Sequence, residues 1–128
     1  MPDRLVLAMQ ARLREGRLPC AEAFALAHAE HVAPAEVAAA AEAQGIRIGW
    51  CQLGLFLGAV KGKGWPNEPL DVPDEVRTAL RGAAADGRLP CARAWAIAAR
   101  LGWERLALGH AANTLGIRVS QCQLGCFP

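Results

Sequence analysis

Apolar positions recur at helical spacing soon after the start of the chain. In DRLVLAMQARLREG, Leu5, Met9 and Leu13 fall near one face, and Val6 or Leu7 widens it. DEVRTALRGAAADG sets Val76, Leu80 and Ala84 at the same places. Asp3 and Asp74, each behind a proline, are placed to cap these first helices, and Gly16 and Gly87 to end them. Pro19 and Pro90 suit the beginning of second helices at about 20–30 and 91–101, where a missing N–H matters least. These are dense in alanine, with Phe24, Leu26, Trp95, Ile97 and Leu101 as the larger core candidates. A third helix is expected at about 105–114. Gly45 and Gly116 stop the third helices, and Ile46 with Ile48, like Ile117 with Val119, marks a short extended segment behind each.

The two halves are copies. At a constant offset of 71, residues 2–57 and 73–128 share 22 identities in 56 positions, including GRLPCA and CQLG in one register. The chain therefore divides into a first repeat at 1–57, a Gly- and Pro-rich linker at 58–71, and a second repeat at 72–128. A unit of this size is marginal alone, which favours two packed together. The expected fold class is all-α: two tandem three-helix repeats related by internal duplication.

Within AARLGWERLAL, Ala98 permits close helix crossing, Gly102 a tight turn, and Leu108 an apolar plug. With Glu104 at the polar start of the following helix, residues 96–115 resemble the helix-turn-helix of bacterial repressors. The first repeat offers Ala27, His31 and Val37, with histidine where the family has glycine. The resemblance implies a recognition helix entering the major groove of double-stranded DNA, with Arg105, His110 and Asn113 on its exposed face. Arg100 would hold a phosphate, and Lys61 and Lys63, with Arg47 and Arg118 after the helices, would supply further backbone contacts. The first repeat presents Glu36 and Glu42 instead, so one copy would bind DNA while the other pairs subunits, or neither binds.

Charge agrees with that division. Residues 1–57 hold five Arg against six acids, a balance of −1; residues 72–128 hold seven Arg against four acids, a balance of +3. A helical hairpin serving protein interaction or assembly, as a homodimer or with another protein, is the competing reading.

Five cysteines is an odd count, against a purely disulfide framework. Cys20 with Cys51, and Cys91 with Cys122, are 31 residues apart, unlike the short clusters of structural zinc. The simplest reading makes them small buried hydrophobes. A metal or redox sensor built from Cys20, Cys51, Cys91, Cys122 and Cys126 is the alternative, since Cys126 stands four residues after Cys122.

Nothing in the sequence specifies catalysis. There is no HExxH, and GKG at 62–64 lacks the rest of a phosphate-binding loop. His28 and His31, at i,i+3, are a weak metal signal. No cofactor and no metal are expected. No apolar run is long enough to span a bilayer and no secretory pattern opens the chain, so the expectation is cytoplasmic, without membrane association. The sequence thus points to a non-catalytic, DNA-binding regulator, with an interaction module or a cysteine sensor as alternatives.

Overall fold

The computed structural model describes residues 4–58 and 62–128. The first unit runs α1 (Arg4–Gln10), β1 (Leu18–Pro19), α2 (Cys20–Glu30), α3 (Pro34–Ala43) and β2 (Ile48–Gly49). The second repeats that order as α4 (Asp74–Ala83), β3 (Arg88–Pro90), α5 (Cys91–Leu101), α6 (Arg105–Thr114) and β4 (Arg118–Ser120).

The all-α expectation is corrected by the two strand pairs. β1 and β2 run parallel, with Leu18 opposite Ile48, and β3 and β4 do the same, with Leu89 opposite Val119. Parallel strands need a long crossover, and the helix pair between them supplies it in each unit. Among the described residues the architecture is mixed α/β, six helices with two small parallel sheets. A pure helix-turn-helix repeat has no place for strands that tie the entry of α2 or α5 to the exit of α3 or α6. The extended segments expected behind the third helices are β2 and β4; the first strands went unread because each ends on a proline that already signalled a helix start.

The first helices stop before the expected glycines. α4 ends at Ala83, and a tight turn follows in which Asp86 and Gly87 both take positive φ, 53° and 74°. Ala85 and Arg88 exchange both backbone hydrogen bonds across it, at 2.8 and 2.9 Å. Glu15 and Gly16 build the same turn between Arg14 and Arg17. Two consecutive residues at positive φ define the turn type for which Asp-Gly is the preferred pair. Asp74 is the first residue of α4 and pairs with Arg77 at 3.2 Å, rather than capping from outside; Asp3 lies outside the described residues.

Two cores form, and the units exchange pieces to close them. Leu53, from the first CQLG, is fully buried among Val72, Val76, Leu80, Leu89 and Leu108 of the second unit. Leu124, from the second CQLG, is buried among Met9, Leu18, Leu26, Val37 and Ala41 of the first. Each segment leaves its own unit and plugs the other, and Trp95 packs against both cores. Burying one leucine contributes about 1.5–3 kcal/mol, so this reciprocal plug is a large share of what joins two small cores.

A candidate thiol site between the units

The exchange carries the cysteines to one place. Cys20 and Cys91 are buried at the first positions of α2 and α5, set there by the prolines that end β1 and β3. Cys51 and Cys122 are half-buried on the exchanged segments, and Cys126 is exposed beside Cys122. All five line one small cavity between the units, with Phe24, Trp95, Phe56 and Phe127 as further walls. Its free volume is about 10 Å³, room for about one water molecule. All five sulfurs are free thiols. Among the described residues no three His, Cys, Asp or Glu side chains are grouped as a metal ion requires.

Gln52 and Gln123, whose places in the two CQLG turns suit them to satisfy turn backbone, serve sulfur instead. Gln52 donates from Nε2 to Cys20 Sγ at 3.6 Å, and Gln123 to Cys91 Sγ at 3.5 Å. Burial outweighs these donors and pushes the Cys20 thiol up to about 11; burial raises Cys91 too. Both remain protonated and inert near neutral pH.

Cys122 differs. Its backbone N–H donates to the Phe127 carbonyl at 3.2 Å, closing a turn over Leu124 and Gly125. Inside the turn the Leu124 N–H donates to Cys122 Sγ at 3.4 Å, and the neighbouring Cys126 thiol is the largest influence on Cys122. Against a smaller opposing effect of burial, these neighbours hold Cys122 down to about 5, and the same pairing, helped by burial, pushes Cys126 up. The first unit has the same turn, with Cys51 N–H to the Phe56 carbonyl at 3.1 Å, but Leu55 stands where Cys126 would be. One substitution between copies makes a thiol pair on one side only.

The residues expected to read DNA are dispersed. Arg105 turns inward: its guanidinium lies 3.6 Å from the centre of the Trp95 ring and donates to Gln52 Oε1 at 2.6 Å. His110 stacks on Trp65, with ring centroids 5.7 Å apart, and its Nε2 is 2.8 Å from the Glu68 carbonyl. The 62–70 segment thus covers part of α6: Trp65 donates to the Leu53 carbonyl at 2.9 Å, and the Leu70 N–H donates to Thr114 at 3.0 Å. Arg100 borders a cleft shared with Asp74 and Glu75, whose charges oppose a phosphate contact. Asn113, Arg118 and Lys63 line a different, open cleft, and Lys61 lies outside the described residues. α6 is therefore not a free recognition helix, and the helix-turn-helix resemblance, with the DNA reading that rested on it, is withdrawn.

Sequence reasoning found the cysteines and the two CQLG glutamines, but not the glutamine–sulfur bonds or the Arg105–Trp95 stack. The signal was present in the repeat itself, since CQLG holds Gln beside Cys in both copies. Among the described residues no helix is long and apolar enough to cross a membrane. Compared with protein families, curated proteins and solved structures, the chain matches none.

Proposed function

We propose that the chain is a non-catalytic thiol redox sensor whose switch is the Cys122–Cys126 pair. The observation that supports it is the placement of these two free thiols on one cavity, in a turn whose Leu124 N–H donates to Cys122 Sγ at 3.4 Å and so favours its thiolate. Thiolate is the nucleophilic form. With hydrogen peroxide as oxidant, Cys122 Sγ attacks one peroxide oxygen. An S–O bond forms, the O–O bond breaks, and the departing hydroxide takes up a proton as water. Cys126 Sγ then attacks the sulfenic sulfur; the S–S bond forms, the S–O bond breaks, and the hydroxyl leaves with the Cys126 proton as a second water. The pair loses two electrons and the peroxide gains them.

The readout is mechanical. Leu124, between the two cysteines in sequence, is the plug of the first unit's core. Drawing Cys122 and Cys126 together alters the turn that aims Leu124, so the oxidation state is felt where the units join.

The test is intact-protein and peptide mass spectrometry after graded peroxide. The expected product is an intramolecular Cys122–Cys126 disulfide, reversible by a dithiol. Cys126→Ala should instead accumulate a sulfenic acid on Cys122, trapped by dimedone. Oxidation of Cys122 no faster than that of an unstructured cysteine peptide overturns the reading.

A further inference from the structure

Beside the thiol site is a larger cleft of about 580 Å³, within the range of small-molecule sites. Leu55, Phe56, Ile117 and Phe127 give it apolar walls, and Lys63 and Arg118 stand on it as cations. Its lining has no side-chain carboxylate. That sets it apart from the cleft of Arg12 and Arg14, which includes Glu22, and from that of Arg100, which includes Asp74 and Glu75. Among the described residues neither Lys63 nor Arg118 is in an ion pair. Arg118 also lies opposite Arg88 in the parallel register of β3 and β4, both exposed, so two like charges are held side by side. Asn113, exposed near the end of α6, adds an amide able to donate and accept.

From this geometry we infer a binding site for a small anion carrying a flat apolar body, its charge between Lys63 and Arg118 and its body against Phe56 and Phe127. The two cations attract the charge, and no side-chain carboxylate among the described lining residues opposes them, although Pro128 also lines the cleft. The aromatic walls favour a planar body, since offset stacking adds to area burial.

The inference is independent of the thiol chemistry and is tested on fully reduced protein. The probe is 1-anilinonaphthalene-8-sulfonate, with the uncharged N-phenyl-1-naphthylamine as its neutral counterpart. Fluorescence titration should give saturable one-to-one binding of the sulfonate, with the neutral probe weaker by roughly tenfold. The double variant Lys63→Glu/Arg118→Glu should weaken the sulfonate by roughly tenfold or more and leave the neutral probe unchanged. Amide chemical-shift changes should centre on residues 113–119. Equal binding of both probes, no effect of charge reversal, or shift changes centred elsewhere would each overturn the site.

Discussion

The carbonyl of Leu53 rests on the bare Cα of Gly109, so that a β-carbon at Gly109 would overlap it. The same carbonyl accepts the Trp65 indole N–H at 2.9 Å, which fixes it from the other side. Gly109 is therefore where the exchanged segment meets the middle of α6. Glycine inside a helix ordinarily costs about 0.5–1 kcal/mol relative to alanine, yet here Gly109→Ala should destabilise by roughly 2 kcal/mol or more, because the backbone carbonyl has nowhere to move. The reverse change at the equivalent Ala38, to glycine, should cost only the helical penalty plus a little packing. Urea denaturation of both variants checks the contrast; equal losses would show that the close approach is not a constraint.

Leu53→Ala should loosen the second unit rather than its own. Removing a fully buried leucine costs about 2–5 kcal/mol, and Leu53 has its neighbours in α4, α5 and α6. Leu124→Ala should do the converse, with effects in α1, α2 and α3, and a smaller loss since Leu124 retains 7% exposure. Hydrogen exchange resolved by segment separates the two. Faster exchange confined to the mutated residue's own repeat would mean that the plugs are not exchanged.

Much of this arrangement was legible in the sequence. The second helices and the third helix of the second repeat fall where proline, alanine and glycine placed them, and the duplication gave the repeated element order. The second strand of each pair was legible as a short extended segment at Ile46/Ile48 and Ile117/Val119, but the pairing was not, because Leu18 and Ile48, or Leu89 and Val119, meet across two helices. Nor was the exchange: Leu53 looks the same whether it plugs its own core or its neighbour's. Arg105 misled for a physical reason. An arginine near a helix start reads as exposed unless an aromatic face and an amide acceptor are waiting for it, and Trp95 and Gln52 come from other elements. Asp86-Gly87 was a turn signal in plain view, overridden by the expectation that a helix would continue to it.

His31 carries a local cost that its partner avoids. It ends α2 at φ 56° and Gly102 ends α5 at φ 69°, both left-handed. The backbone bonds match as well, Val32 N–H to the Ala27 carbonyl at 3.0 Å and Trp103 N–H to the Ala98 carbonyl at 2.9 Å. A side chain in that conformation costs about 1–2 kcal/mol, part of which glycine loses through the freedom of its unfolded chain. His31→Gly should therefore raise stability by about 0.5–1 kcal/mol, and Gly102→His should lower it by a similar amount. Thermal unfolding of the pair is the check, and a destabilising His31→Gly would mean that the imidazole has a role beyond the turn.

Arg105→Ala should weaken the fold rather than a ligand contact. The change removes a guanidinium stacked on Trp95 and a 2.6 Å bond to Gln52, leaving the amide short of one partner. A loss of roughly 1–2 kcal/mol follows from the stack and the hydrogen bond together. Arg105→Lys should recover little, because an ammonium neither stacks as a plane nor reproduces the same donor geometry. Chemical denaturation of the three proteins decides it, and recovery by lysine would reduce the interaction to simple charge.

Alkylation against pH tests the thiol pair most directly, since iodoacetamide reacts with thiolate and not with thiol. The folded state lowers Cys122 from 9.0 to about 5, chiefly through the neighbouring Cys126 thiol. Its alkylation rate should therefore reach half its maximum near pH 5 and be nearly flat through neutrality, while Cys20, raised to about 11 by burial, stays unmodified in folded protein. Linkage gives the stability effect a definite sign. Between pH 5 and 9 folded Cys122 binds fewer protons than unfolded Cys122, so its contribution is complete above pH 9 and disappears as pH falls through 5. Cys126 acts oppositely: its raised folded value costs stability above pH 9, where the unfolded thiol ionises and the folded one does not. Cys126→Ala removes the Cys126 effect and the largest part of the Cys122 effect. In that variant the half-maximal alkylation of Cys122 should move up toward the ordinary thiol range, with only the backbone donors Leu124, Gly125 and residue 126 still holding it down. Cys126→Ser keeps an O–H in place and should leave the half-maximum nearer to that of the unsubstituted protein. A profile identical in all three proteins would mean that Cys126 does not set the reactivity of Cys122, and the switch would lose its second thiol.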